Sequence, residues 1–383
     1  MPSLSRRLLL KLAGTLSAAT GLGRVASAAP LLESPTPTDT WRNSHDRVWL
    51  GPQFWANPME DWRIVDGAAE CLSTAGNRNV HLLTHQVTDP DAELRLDVTI
   101  TKVEQGLRDG GAGFRVGIKS ELNEHKSNCF ARTGVDAGYV EGALVLGPNR
   151  EKLPAPVAPD GLTLRLQGRP DGGRDLRALT AATGDAQILT IFHHVAKETV
   201  LGNVALVNNF APRPKRGQGA RYRFQEWRAT GDAFTVSPNH AFGPILWSMY
   251  TLSDSRSDEG FVLKLTALTG PLGDHDDRRV ELQVESSGSW RSIGHAELAP
   301  DAWTATFRVP NWDATATTPY RVVYREKHPQ GDRTESYWTG TVKPNPVGRP
   351  LRLGALTCQK DYAFPYQPFV DNLCRLEPDL LYL

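Results

Sequence analysis

Glu93-Leu94-Arg95-Leu96-Asp97-Val98-Thr99-Ile100 places Leu, Leu, Val and Ile on one side of an extended chain and polar residues on the other. Side chains alternate between the two faces of a strand, so this pattern predicts a strand with one face on a core and one in water. Gly161-Leu162-Thr163-Leu164-Arg165-Leu166, Val204-Ala205-Leu206-Val207 and Tyr222-Arg223-Phe224-Gln225-Glu226-Trp227 repeat it. Turn signals such as Asp-Gly and Pro-Asp-Gly separate these runs, and no long stretch has helical spacing. Short alternating strands with frequent turns predict a jelly-roll sandwich over 41–235.

The alternation resumes after Phe242-Gly243-Pro244. Phe261-Val262-Leu263-Lys264-Leu265-Thr266, Arg279-Val280-Glu281-Leu282-Gln283-Val284, Trp303 to Val309 and Tyr320 to Tyr324 all carry it. About seven strands in about a hundred residues predict a second, smaller sandwich over 240–345. It has no paired cysteines, so a fibronectin-III-like sandwich is the better description. The fold class is therefore mainly β.

Bulk composition narrows the function. The 383 residues suggest two or three domains. Lys+Arg and Asp+Glu are equal at 43 each, so the basic excess of a nucleic-acid binder is lacking and nucleic acid is set aside. The 34 Gly and 27 Pro are spread along the chain, as turns between many strands require. Ten Trp serve either as sandwich core or as sugar-stacking surfaces, and the sequence leaves both open. Four Cys (Cys71, Cys129, Cys358 and Cys374) are too few for a disulfide framework. Cys71 and Cys129 either pair or are two small buried apolar residues.

The amino terminus reads as an export signal. Ser5-Arg6-Arg7-Leu8-Leu9-Leu10-Lys11 has adjacent arginines, Arg6 and Arg7, ahead of an apolar stretch. Ala26-Ser27-Ala28 then offers a small-x-small cleavage site, leaving Ala29 as the new terminus. Residues 1–28 are thus expected to engage the twin-arginine export machinery, and 29–40 to form a linker. No other segment reaches the ~18 apolar residues of a membrane span. The expected location is periplasmic or extracellular.

Several polar clusters invite a chemical reading and lose it on inspection. His193-His194 are adjacent on a strand, so their rings point to opposite faces and do not easily share a metal. His81 and His85 are four apart without a clear helix or strand pattern, and no metal site is expected there. Gly273-Asp274-His275-Asp276-Asp277 is crowded into one turn and reads as solvated.

The pattern changes after the Pro-rich connector Lys343 to Pro350. Leu351-Arg352-Leu353-Gly354-Ala355-Leu356-Thr357 reads as a strand buried on both faces. Phe369, Leu373 and Leu376 then take helical spacing behind Pro368, and Leu380-Leu381-Tyr382-Leu383 is apolar again. Strand, helix, strand predicts a parallel βαβ unit. One such unit cannot bury its own faces, so the chain is expected to be the N-terminal fragment of a longer protein. Cys374, beside Leu373, is expected in the core.

Two resemblances follow. Asp61 to Gly67, Ala112 to Gly117 and Gly202 to Leu206 resemble the concanavalin-like or laminin-G-like jelly rolls attached to bacterial secreted enzymes. Leu353 to Gln359, Phe369-Val370-Asp371-Asn372-Leu373 and Glu377 to Leu383 resemble the opening of the catalytic domain of the alkaline phosphatase D family, which are calcineurin-like metallophosphoesterases. That resemblance covers 350–383, and more loosely 240–350. It implies iron and calcium as metals, a phosphate-ester substrate and Cys358 as a thiolate ligand. It would leave the Asp, Tyr, His and Asn ligands and the catalytic groups beyond Leu383. Thr357 stands where the family usually has Ser. Asp361 and Tyr362 follow the strand, where a loop would face substrate. The implied function is exported, metal-dependent phosphoric ester hydrolysis, with this fragment inactive by itself. The alternative is a secreted β-sandwich protein that binds carbohydrate or a cell-surface polymer without catalysis. Exposed aromatics on the concave face of the first sandwich would favour it, and a face lined by aliphatics would count against it.

Overall fold

The stretch Glu93 to Ile100 forms most of one central strand, and its alternation is exact enough to build a core. Leu94, Leu96, Val98 and Ile100 are fully buried, while the polar residues between them are half-buried on the other face. Burial of each such side chain contributes about 1.5–3 kcal/mol. The computed structural model describes residues 40–104, 110–119, 133–154, 160–171, 173–181, 187–210, 219–254, 258–357 and 367–382. Arg6, Arg7, Ala28, Ala29 and Cys129 lie outside the described residues.

The larger sandwich runs through β1 (Phe54–Asn57), β2 (Trp62–Val65), β3 (Ala68–Cys71), β4 (Arg78–Val87), β5 (Leu94–Lys102), β6 (Gly111–Ile118), β7 (Val135–Val140) and β8 (Ala143–Leu146). It continues through β9 (Asn149–Lys152), β10 (Asp160–Asp171), β11 (Gly173–Ala181), β12 (Gln187–Val195), β13 (Gly202–Asn208), β14 (Tyr222–Thr230) and β15 (Phe234–Val236). Among the described residues these make a seven-stranded sheet, β12-β11-β10-β5-β14-β3-β2, and an eight-stranded sheet, β1-β4-β13-β6-β7-β8-β9 with β15 beside β4. All pairings are antiparallel, so tight hairpins suffice. Asp66-Gly67 and Glu141-Gly142 close two of them, each with both residues at positive φ, the mirror-image turn that matches strand twist. The core between the sheets holds Val80, Phe114 and Leu206 from one and Leu96, Leu164 and Phe224 from the other. In β14 a bulge at Glu226 turns Trp227 inward, where it stacks on Phe54 at 5.5 Å with Trp41 alongside.

The smaller sandwich packs β16 (Ile245–Asp254), β17 (Phe261–Thr269) and β20 (Thr304–Val309) against a four-stranded sheet. That sheet is ordered β19 (Ser289–Glu297), β18 (Arg279–Ser286), β21 (Thr318–Lys327), β22 (Arg333–Val342). Three strands facing four is the fibronectin-III-like arrangement.

The two sandwiches are knitted together by residues 43–50. Trp49 lies in the core of the smaller sandwich, although Trp41 and Leu50 lie in the larger one. Arg47 reaches Asp276 at 3.2 Å and Glu326 at 2.7 Å, all three side chains being buried. This corrects the reading of the Gly273 to Asp277 turn as solvated. Asp274 is exposed, but Asp276 turns inward to meet a cation supplied from 229 residues away.

Near the carboxyl end, β23 (Leu353–Ala355) pairs in parallel with β24 (Leu380–Tyr382) across the helix α1 (Gln367–Leu376). The expectation of burial on both faces does not hold here. Leu351, Leu353, Leu380, Leu381 and Tyr382 are exposed, because two short strands and one helix cannot cover a parallel sheet. Cys374 also faces solvent, which corrects its placement in a core; the helix turns Phe369 and Leu373 inward instead. No helix among the described residues is long and apolar enough to cross a membrane.

Candidate functional site

A cleft of about 360 Å³ opens at one end of the larger sandwich. The 3-10 turn Met59–Asp61 supplies Glu60 and Asp61, the chain leaving β3 supplies Leu72, Ser73 and Thr74, and Arg78 and Arg221 come from the starts of β4 and β14. Arg78 donates to the Asp61 carboxylate and to the Gly76 carbonyl, and Arg221 donates to Glu104 behind the wall. The lining therefore holds two carboxylates and two guanidinium groups, with hydroxyls from Ser73 and Thr74 and apolar patches from Pro58 and Leu72.

The wall is held from below by two buried amides. Asn209 donates to the Thr74 and Ala220 carbonyls at 3.1 and 2.9 Å, and its oxygen accepts from Gly111. Asn208 donates to Ala220 and accepts from the Tyr222 amide. Sequence reading missed this pair; Asn-Asn directly after an alternating strand was the available signal, since Asn tolerates the left-handed backbone seen at Asn209. Cys71 lies below the cleft as a free thiol whose pKa burial pushes up to about 12, so it is an inert core residue.

A second polar group occupies the face of the eight-stranded sheet turned away from the core. Trp55, His81, Ala205, Arg115 and Asp136 form one row across five strands. Arg115 donates to Asp136 through two nitrogens at 2.5 and 3.1 Å and to Asn77 at 2.6 Å. Asn203 donates to the Leu82 and His85 carbonyls, which turns its oxygen toward His81 Nδ1 at 2.7 Å. That oxygen can only accept, so Nδ1 carries the proton. His81 and His85 thus sit in a bulged strand with separate partners, Asn203 and Thr84. His193 and His194 point to opposite faces, as adjacent strand residues must.

Burial, with a smaller push from the Arg115 charge, holds the His81 pKa down at about 4 despite the Asn203 hydrogen bond. Its ordinary value is 6.5. Between these values the unfolded chain takes up a proton that the folded one refuses. Stability is therefore complete above about pH 6.5 and falls toward pH 4 by up to about 1.4 kcal/mol per pH unit. Urea midpoints measured from pH 7 to 4.5 should show this acid slope, and His81→Gln should flatten it. An unchanged slope in the variant would assign the acid sensitivity elsewhere.

Cys358, Asp361 and Tyr362 lie outside the described residues. Among the described residues no group of three or more His, Cys, Asp or Glu could hold a metal. Of the five Trp in 41–235, Trp41, Trp49, Trp62 and Trp227 are buried, and Trp55 is half-buried with its ring against Phe242 at 4.5 Å. The first sandwich therefore exposes no Trp for stacking.

No protein-family model matches the chain, and no curated protein matches it. Among solved structures it is similar to a Lotus tetragonolobus seed lectin, at 14% identity over 51% of this chain and 99% of that one, with a TM-score of 0.33. Arcelin-5, a lectin-like defense protein from Phaseolus vulgaris, gives 11% identity over 50% and 95% with a TM-score of 0.34. A Bauhinia forficata lectin in complex with GalNAc gives 10% identity over 49% and 96% with a TM-score of 0.33. At these values the likenesses assign no ligand. The mainly-β sandwich class rests on the strand pairing itself.

Proposed function

We propose that this chain is a carbohydrate-binding β-sandwich protein whose larger sandwich takes a neutral sugar in the cleft bounded by Glu60, Ser73 and Arg221. The supporting observation is the balance of the lining: Glu60 and Asp61 against Arg78 and Arg221. A phosphate ester would meet two carboxylates as well as two cations. A neutral polyol meets donors and acceptors on all sides and needs no net charge. The volume suits a sugar of one or two rings, and Pro58 and Leu72 offer apolar contact to its C–H face. Recognition is led by hydrogen bonds, since no aromatic ring is among the lining residues.

Isothermal titration of the protein with sugars chosen from a glycan array tests this reading. Glu60 is exposed, so Glu60→Ala should leave the melting temperature unchanged. It should weaken binding roughly 10-fold or more, by loss of a charged hydrogen bond of about 1.5–3 kcal/mol. A variant that binds like the wild type would sink the cleft as the site. So would an array on which nothing binds.

A second reading is favoured by the parallel pairing of β23 with β24 across one helix and by its exposed leucines. On this reading 350–383 opens a metallophosphoesterase domain, Cys358 being a thiolate ligand for iron beside a calcium site, with Asp361 and Tyr362 on the substrate side. The described residues supply no donor set for those metals, so no catalytic step follows from them. The resemblance implies that a Gly-Asp-Gln-x-Tyr run comes next and supplies the Asp and Tyr ligands; a coding sequence that continues into it would support this reading, and any other continuation would remove it. Twin-arginine export, placing the protein in the periplasm or outside the cell, is common to both readings.

A further inference from the structure

The smaller sandwich carries two exposed aromatic rings on one sheet face, whereas among the described residues of the larger one the strongly exposed ring is that of Phe192 on β12. On the four-stranded sheet, Val280, Leu282 and Val284 of β18 and Tyr320, Val322 and Tyr324 of β21 face the core. The alternate residues therefore face outward: Glu281 and Gln283, Trp290 and Ser292, Arg321, Val323 and Arg325, and Glu335, Tyr337 and Thr339. Trp290 is 37% exposed on edge strand β19, and Tyr337 is 43% exposed on the opposite edge strand β22. The guanidinium carbon of Arg321 lies 4.6 Å from each ring centroid, so a cation bridges the two aromatics across the sheet.

We infer that this outer face, spanning Trp290, Arg321 and Tyr337, is a second binding surface that takes a neutral polysaccharide chain.

Three observations carry it. The first is rigidity. Arg321 Nε donates to Gln283 at 2.7 Å, Gln283 donates to Glu281 at 2.9 Å, and Arg325 donates to Glu281 at 2.7 Å and to Glu335 at 2.6 Å. The Tyr337 hydroxyl closes the chain on Glu335. Rings held this way lose little freedom when a ligand stacks on them. The second is charge. Across the rows from Arg279 to Glu285, Arg279, Arg321 and Arg325 stand against Glu281, Glu285, Glu297 and Glu335, so the face is close to neutral and suits an uncharged partner. The C–H faces of such a partner lie on the rings, and its hydroxyls meet Arg321, Gln283 and Ser292. The third is that packing does not require both rings. Tyr337 covers Val323, its direct cross-strand partner, which is buried although it points away from the core. Trp290 stands two strands away from Val323 and covers no such residue in its own row, where it faces exposed Glu285. The two ring centroids, each 4.6 Å from the same Arg321 carbon, are separated by at most twice that distance, a span that suits neighbouring units of a chain better than a single sugar.

This surface is separate from the cleft and does not depend on it. Affinity electrophoresis tests it with gels containing laminarin, glucomannan or arabinoxylan as neutral polymers and alginate as an anionic one. At least one neutral polymer should retard the protein, with little change in 0.5 M NaCl. Trp290→Ala and Tyr337→Ala should each weaken that retardation at least tenfold, as loss of a binding hot spot does. Trp290→Ala should bind the sugar selected for the cleft as tightly as the wild type, which separates this face from the cleft. Should Tyr337→Ala melt, Trp290→Ala decides alone, since it leaves the cover of Val323 in place; Trp290→Phe should restore part of the binding. The inference is overturned if no neutral polymer retards the protein, or if Trp290→Ala is retarded like the wild type. Retardation by alginate alone, abolished by salt, also overturns it in favour of an anionic partner.

Discussion

Arg47→Met is expected to cost about 3–5 kcal/mol of stability, the usual effect of removing one partner from a buried ion pair. The Arg47 side chain is 1% exposed, Asp276 0% and Glu326 10%. Its guanidinium also donates to the Trp49 carbonyl at 3.1 Å and to the Ser44 hydroxyl at 3.3 Å, so its donors serve both sandwiches. Removing it leaves two carboxylates near each other and away from water, with the buried Tyr324 hydroxyl beside them. Burial and the Asp276 and Glu326 charges already push that hydroxyl's pKa above its ordinary range. Arg47→Lys keeps the charge but loses the planar fork, and should fall between wild type and Met. Replacing the triad together, Arg47→Met with Asp276→Leu and Glu326→Leu, should recover most of the loss, because no charge then remains buried. Urea unfolding of the four proteins checks the order. If Arg47→Met matched the wild type within 0.5 kcal/mol, the triad would have no role in holding the sandwiches together.

This junction marks the boundary of what the amino-acid sequence discloses. Alternation was legible because it is local: Leu94 to Ile100 needs no knowledge of its neighbours to show which side is buried, and the hairpin at Asp66-Gly67 needs only its own backbone. The fate of Asp276 was not legible. Its turn has the composition of a solvated loop, and the residue that draws it inward lies 229 positions earlier. His81 and His85 were ambiguous for a related reason: the bulge that separates them is propped open by Asn203, about 120 residues away. At the carboxyl end the order strand, helix, strand was readable from spacing, but burial was not, because burial depends on how many layers cover the unit. The cleft depends on Asn208 and Asn209, whose side chains act on backbone carbonyls of a distant loop. The exposed ring at Trp290 was visible only as part of a high Trp count, and Tyr337 carried no signal of its own. Whether a Trp on an alternating strand faces core or water depends on the register of the whole sheet, and one residue of shift reverses it.

Trp49→Ala should be as severe as Arg47→Met and should fail in a different way. Trp49 is buried in the core of the smaller sandwich, yet it precedes every strand of the larger one. Its indole donates to the Phe242 carbonyl at 2.8 Å, and its backbone amide donates to Pro271 at 2.9 Å. Gly243 and Gly270 press against the ring; a Cβ at Gly270 would lie 2.7 Å from its Cγ. Truncation to Ala leaves a cavity and an unpaired carbonyl, a loss of about 3–5 kcal/mol from the cavity alone. That loss falls on the smaller sandwich, whose core is the smaller of the two. Calorimetry of the wild type should show the sandwiches melting together, because Trp49 and Arg47 couple them. In Trp49→Ala the smaller sandwich should melt first, as a separate and cooler transition, while the larger keeps its own core around Trp41 and Trp227. Gly270→Ala approaches the same contact from the other side and should destabilise by about 1–3 kcal/mol through overpacking. A single transition in Trp49→Ala, shifted equally for both sandwiches, would mean that the coupling runs through the Arg47 triad alone and that the indole only fills space.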